Sequence, residues 1–358
     1  MNKFILLTAL FIISLAVFVL FFRDIKNQDS ATPSPTASPQ VQQDNSPFEV
    51  IAQNLEVPWA LAFLPDNSIL VTERKGLVKL VKDNTAIEIA NVKVNQTGES
   101  GLHGIAIDPN FNQNHFIFLY YTYSDEGQNS LNRVSRFTFE NNKLNDEKII
   151  VDQIPGATIH DGGRIKFGPD GNLYITTGDA ANPSLSQDKN SKAGKILRVV
   201  NEKVEVYSYG HRNPQGITWD DQGRLWEVEH GQSATDEINQ LVMGRNYGWP
   251  TIRGNQKQDG LEPPVLHSDL NTWAPGGAAF LNGSIFFAGL RGQALFEYNI
   301  QTQQLKEHFK NQFGRIREVI SGPDNMFYIT TSNLDGRGNP KEGDDKIIRV
   351  NPNKLQEK

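Results

Sequence analysis

The side chains of this sequence that can do chemistry recur at one kind of place, just ahead of a short apolar triplet. In chain order they are Glu99 and His103, His160 and Arg164, Arg212 with Asn213 and Gln215, Trp273 and Pro275, and Arg315 with Arg317. Arg291 stands in a Gly-Leu-Arg-Gly turn. Guanidinium groups make two-pronged hydrogen bonds to carboxylates and phosphates. Gathered at one place, Arg212, Arg291, Arg315 and Arg317 would hold a multiply anionic small molecule, as substrate or cofactor. Scattered, each would pair with a neighbouring acid.

His160 lies in IHDGGRIKFGPDG, with two glycines close behind it that let backbone approach a ligand. Imidazole titrates near neutrality, which suits a general base, although a single histidine also serves as a structural hydrogen-bonder. His211 reads as structural, because its neighbour Arg212 points the other way along an extended segment. His103, His115, His267 and His308 carry no distinguishing context, and no histidines have the spacing of a helical zinc site. The run EVEHGQSATDEINQL offers Glu229, Asp236 and Glu237, with carbonyls around Gly231 and Gln232. Such all-oxygen donors suit a hard cation such as calcium, or the run is simply a solvated charged loop.

What brings these positions together is a repeat. The unit is a small residue, a stretch ending in a bulky apolar one, a turn of Pro, Asp, Asn or Gly, then a second apolar run. Its copies are PWALAFLPDNSILVTE, LHGIAIDPNFNQNHFIFLYY, GGRIKFGPDGNLYITTGD, PQGITWDDQGRLWEVEH, PGGAAFLNGSIFFAG and RIREVISGPDNMFYITTS. The aligned bulky positions are Phe63, Ile107, Phe167, Trp219, Phe280 and Ile320. Most copies are followed by a further strand-like run such as GKILRVV or DKIIRVN. Short alternating runs punctuated by turn residues argue an all-β fold. Six such units predict a six-bladed β-propeller, one four-stranded sheet per blade around a channel. The loops entering the first strand of each blade then converge at one mouth, and the residues named above lie on them.

Composition bounds the rest. The chain has 358 residues, 38% hydrophobic and 21% charged, with 30 Gly, 18 Pro and no Cys. A net charge of −6 argues against a nucleic-acid partner. The lack of Cys excludes disulfides, thiolate metal sites and cysteine nucleophiles. The uncharged apolar run from Phe4 to Phe22 is long enough to cross a bilayer, so residues 1–26 are expected to be a membrane anchor or uncleaved signal. A Ser/Thr/Pro/Gln-rich linker is expected over 27–47, the propeller over 48–352 and a tail over 353–358. The globular part is expected outside the cytoplasm, on the periplasmic or outer face of the membrane, or secreted if the N-terminus is cleaved.

From about Phe48 to Pro352 the chain resembles the glucose/sorbosone dehydrogenase family, the soluble quinoprotein aldose-sugar dehydrogenases. The resemblance is carried in order by GESGLHGIAIDPNF, HDGGRIKFGPDGNLYITTGD, NSKAGKILRV, GHRNPQGITW, EHGQSATDEINQL, NYGWP, WAPGGAAF and GRIREVISGPDNMFYITTSNLDGRG. It implies a six-bladed propeller that binds pyrroloquinoline quinone and calcium at the channel mouth and oxidises aldose sugars at C1 to lactones. It implies His160 as the base for the anomeric hydroxyl, with hydride passing to the quinone and Arg212 stabilising the developing oxyanion. Asn213, Arg315, Arg317, Arg291 and Glu99 fall on cofactor contacts, and Trp273 on an apolar wall for sugar or quinone. The carbonyls of Gly231 and Gln232 fall on the ligands of the active-site calcium, with Asp236 in support. Glu237 and the Tyr247 carbonyl fall on a second, structural calcium of some relatives. Gln232 replaces a frequent Pro, His103 a frequent Leu, and Ser-Ala-Thr the usual Gly- or Asp-rich run before Asp236. There is no haem-attachment motif, so electrons are expected to leave to an external acceptor. A calcium-dependent lactonase-type hydrolase on such a propeller would have no use for the arginines. A non-catalytic ligand-binding propeller would have no use for His160 and Arg212 together.

Overall fold

The computed structural model describes residues 46–355; the expected anchor and nearly all of the expected linker lie outside them. Among the described residues no helix is long and apolar enough to cross a membrane. They form six four-stranded antiparallel sheets, which are the six blades expected from the repeats. The first strands are β2 (Pro58–Phe63), β6 (Leu102–Ile107), β10 (Ile165–Phe167), β14 (Pro214–Trp219), β18 (Pro275–Leu281) and β22 (Ile316–Ser321). Most of them pack against their neighbours around the ring, and together they line the channel. The aligned bulky residues of the repeat sit at or one short of the ends of these strands.

The turns after five of the six first strands show why the repeat reads as it does. Asp66, Asp108, Asp170, Asp220 and Asp324 each accept the backbone N–H two residues on, a local bond that favours a turn over a continued strand. After Asp170, Gly171 takes φ +74°, which a side chain would resist, and its N–H closes the turn on the Gly168 carbonyl at 2.9 Å. The core is divided among the interfaces between blades. One cluster joins Trp59 and Leu70 to Ile105 and Leu119; another joins Trp226 and Ile238 to Phe287 and Phe296. Each fully buried Leu, Ile or Phe contributes about 1.5–3 kcal/mol, so the blades hold one another.

The sixth blade is closed by a strand from the opposite end of the chain. β1 (Phe48–Ala52) pairs antiparallel with β24 (Ile347–Val350), Phe48 opposite Val350 and Val50 opposite Ile348. This closure and the outermost strands of the other blades, such as β13 (Lys203–Tyr209), were not legible in the repeat.

Candidate active site

At the mouth where the first strands begin, a cavity of about 290 Å³ is walled by Glu99, His103, Arg212, Gln215, Gly231, Gln232, Asp236, Arg291, Arg315 and Arg317. The sequence had gathered Glu99, His103, Arg212, Gln215, Arg315 and Arg317 by position in the repeat; the fold joins to them Arg291 of the Gly-Leu-Arg-Gly turn and Gly231, Gln232 and Asp236 of the oxygen-donor loop. Trp59, Asp161, His230, Leu290 and Arg337 complete much of the wall. A second cavity opens at the other mouth, and Arg164 belongs to it. There its guanidinium pairs with the buried Glu318 and its Nε donates to the Gln215 carbonyl at 2.9 Å.

The guanidiniums are held differently. Arg315 is committed: its Nε and Nη2 donate to Asp335 Oδ2 at 2.9 and 2.8 Å, and Nη1 to the Leu290 carbonyl. Arg317 sends Nη1 to Gln215 Oε1 at 2.6 Å, but its buried Nε has no partner. Burial pushes its guanidinium down to about 9. Arg212 sends Nη1 to the His230 carbonyl, leaves its buried Nε unpartnered, and stands 5.3 Å over the Trp249 ring. Burial lowers it too. Arg337 pairs with Glu99 at 2.7 Å. Burial would raise the Glu99 carboxyl, but the bond from Arg337 and the nearby His230 and His160 N–H hold it down at about 2. Unpartnered buried N–H groups facing a mouth are costly unless a ligand accepts from them.

His160 stands beside the cavity rather than in its wall, through its neighbours Asp161 and Gly162 and its partner Glu99. Its Nδ1 lies 2.7 Å from Asp179 Oδ1, and Asp179 Oδ2 accepts from Trp249 Nε1 at 2.9 Å. A carboxylate can only accept here, so Nδ1 carries a hydrogen, and whenever the ring is neutral Nε2 keeps the lone pair. The backbone at His160 takes φ +63°, uncommon outside glycine, and its carbonyl lies so close to Gly178 that a Cβ there would overlap it.

The metal-loop candidates separate. Among the described residues, none donates to the carbonyls of Gly231 or Gln232. The Asp236 carboxylate is spent on donors: the N–H groups of Gly231, Trp273 and Ala274 and the Thr272 hydroxyl, at 2.6–2.9 Å. It staples the loop, three of these donors meeting Oδ2 and one Oδ1. Glu237 Oε1 accepts from the Gly254 N–H at 3.0 Å, and burial with the charge of Glu229 pushes this carboxyl up to about 8. The Tyr247 ring is buried and stacked on His211, and Glu237 and Tyr247 border a narrow gap behind Arg212.

Two expected contacts are placed elsewhere. The Trp273 ring does not wall this cavity; its apolar surface is driven into the interface between the fourth and fifth blades, against Phe287 and Phe296. Asn213 is buried and ties two blades, its Oδ1 accepting from the Gly162 N–H at 3.1 Å. Conversely, His103 is in the wall, stacked 4.9 Å from Trp59, its ring pushed down to about 3 by burial and therefore neutral. Sequence reasoning missed Asp179, Asp335, Arg337 and His230. A signal existed for the first: the second apolar run of several repeats ends in a polar residue, as in Glu73, Asp179, Glu229 and Asn333, and those ends face the same mouth.

The residues fit an anionic planar cofactor with a hard cation: unsatisfied guanidinium N–H groups for its carboxylates, and two open carbonyls for the ion. The family model described as glucose/sorbosone dehydrogenase matches residues 55–339. The aldose sugar dehydrogenase of Escherichia coli (strain K12) is 28% identical over 85% of this chain and 92% of its own. Quinoprotein glucose dehydrogenase B of Acinetobacter calcoaceticus is 30% identical over 64% of this chain and 57% of its own. The structure of the PQQ-bound aldose sugar dehydrogenase of Streptomyces coelicolor superposes with a TM-score of 0.79 at 36% identity, covering 85% of this chain and 97% of that one.

Proposed function

The chain belongs to the glucose/sorbosone dehydrogenase family, and from that premise we propose that it oxidises aldose sugars at C1 to their lactones with pyrroloquinoline quinone and calcium. The observation that carries this is the pairing of a mouth lined with part-satisfied guanidiniums and a histidine whose Nδ1 is fixed on a buried carboxylate. When bound, the quinone would supply a two-electron hydride acceptor for C1, and calcium would supply Lewis-acid polarisation. The chain supplies the rest. His160 Nε2 takes the proton of the anomeric hydroxyl, and Asp179 holds the ring in the tautomer that can do so. Arg317, Arg315 and Arg291 would meet the cofactor's carboxylates, with Asp335 fixing the orientation of Arg315. Arg212 presents a preformed positive charge, backed by the Trp249 face, where negative charge develops on oxygen. The carbonyls of Gly231 and Gln232 would hold the calcium, kept in place by Asp236. Electrons then pass to an external acceptor, and the globular part works outside the cytoplasm, tethered by its N-terminal segment.

The test is reconstitution of the quinone-free protein with pyrroloquinoline quinone and calcium, following reduction of a dye by glucose and other aldoses. Reduction that needs both additions supports the reading. Tight quinone binding with no aldose oxidised would overturn the substrate class, and no binding would overturn the cofactor.

A further inference from the structure

Behind Arg212, between the third and fourth blades, lies a polar cluster that the reaction above does not use. β15 (Leu225–Glu229) pairs with β16 (Glu237–Leu241) so that Glu227 faces Asn239 and Glu229 faces Glu237. Alternation along both strands puts all four side chains on one face of the sheet. His211 reaches the same place from the third blade: its Nδ1 lies 3.3 Å from Glu229 Oε1, and its Nε2 bonds Ser208 Oγ at 2.8 Å. Ligating atoms of His211, Glu227 and Glu229 all lie within 4.8 Å of one another.

Among the described residues, no lysine or arginine forms an ion pair with Glu227, Glu229 or Glu237; the one basic group at that range is the His211 imidazole. Glu227 is fully buried, and its Oε1 accepts from nothing. A second orphan is independent of the acids. Asn239 is buried with its amide in the middle of the cluster, Nδ2 reaching Glu227 Oε2 at 3.0 Å and Glu229 Oε1 at 3.4 Å, while its Oδ1 has no partner. A fully buried Glu227 oxygen without a donor is costly, and a divalent cation held between Glu227, Glu229 and His211 would answer it.

We propose that His211, Glu227 and Glu229 bind a divalent transition-metal ion of the zinc or manganese type. Mixed imidazole and carboxylate donors distinguish this site from the all-oxygen calcium positions of the loop, and it does not depend on the sugar-oxidising reading. Ser208 orients the imidazole from its far side, as outer hydrogen bonds commonly do for metal-bound histidine. The ion would also act on the reaction's machinery from behind. Glu229 Oε2 accepts the N–H of Arg212 at 2.7 Å and that of Asn213 at 3.3 Å, so fixing Glu229 fixes the segment that presents Arg212.

The test uses the full chain without quinone, stripped of metal and then held in excess calcium so that hard-cation positions are filled. Zinc and manganese are added separately, and bound metal and Tm are read for the wild type and for Glu227→Gln. The expected result is one equivalent of zinc or manganese per wild-type chain with a rise in Tm. In Glu227→Gln, affinity should fall by at least about tenfold and the rise should disappear. A wild type that takes up neither metal overturns the proposal without reference to any variant. So does a Glu227→Gln protein that binds the same equivalent and is as strongly stabilised.

Discussion

His160 Nδ1 lies 2.7 Å from Asp179 Oδ1, and the other oxygen of that carboxylate is held by Trp249 Nε1 at 2.9 Å. The pair therefore leaves the imidazole one free nitrogen in one orientation. His160→Ala should lower kcat by about 10²–10⁴-fold with quinone affinity little changed. Asp179→Asn, which alters a residue that orients the base without lining the cavity, should lower kcat while KM for the sugar stays near its wild-type value. Steady-state kinetics on both variants decide; a KM effect alone in Asp179→Asn would remove Asp179 from its orienting role.

Arg317 and Arg315 predict different phenotypes although they are two residues apart. Arg317 has an unpartnered buried Nε, one hydrogen bond to Gln215 and only a 4.0 Å approach to Asp335, so Arg317→Ala should weaken quinone binding by about tenfold to a hundredfold at less cost in Tm than Arg315→Ala. Arg315→Ala strands the buried carboxylate of Asp335, its main partner, and should also lower Tm. Equilibrium quinone titration and thermal melts separate the two, and equal losses of Tm in both variants would contradict the distinction.

Gly178 is a hidden support of the base. A methyl group there would overlap the His160 carbonyl, and the neighbouring Asp179 N–H is tied to the Arg212 carbonyl at 2.8 Å, so the segment cannot simply step aside. Gly178→Ala should therefore lower kcat at least about tenfold without touching any atom that meets the sugar. Wild-type turnover in a folded Gly178→Ala protein would show that the loop carrying His160 tolerates displacement.

Asp161 sets an expectation for pH. Burial, opposed by bonds from Asn132 and the Ala157 N–H and reinforced by the charge of Glu99, pushes its carboxyl from the ordinary 3.8 up to about 7. The folded state then holds a proton that the unfolded chain releases between those values, so stability present below about pH 4 is lost as pH rises through 7. At about 1.4 kcal/mol per unit the loss is on the order of 4 kcal/mol. Asp161→Asn cannot ionise, so its Tm should gain on the wild type steadily from pH 4 to 8. Parallel Tm-against-pH curves for the two proteins would rule this out.

Much of this site was written in the chain because a propeller converts position within a repeat into position in space. Phe63 and Phe167 mark equivalent strand ends, so Arg212 and Arg317, each just ahead of or at the start of such a strand, had to meet. What escaped was held by other means. Arg337 reaches Glu99 from 238 positions away, on a loop with no repeat register. His103 was gathered by its place in the repeat, but its stacking on Trp59, 44 residues earlier in the chain, was not legible there. Trp273 misled for the opposite reason: its place in the repeat suggested the mouth, but an indole ring next to Phe287 and Phe296 gains more by burial in their interface. The outer strands were faint because half-exposed runs such as β13 carry less apolar alternation to detect.

The pairing of β1 with β24 also means that the ring is a circle drawn with an arbitrary starting point. Phe48 and Val350 stand opposite each other in the pairing, and the Asn351 N–H donates to the Pro47 carbonyl at 2.8 Å. Joined there by a few residues and reopened at the turn holding Gly223, which has open space around it, the chain would list its blades in a new order while every residue at the mouth kept its neighbours. Linear order, in such a molecule, is an accident of where the thread was cut.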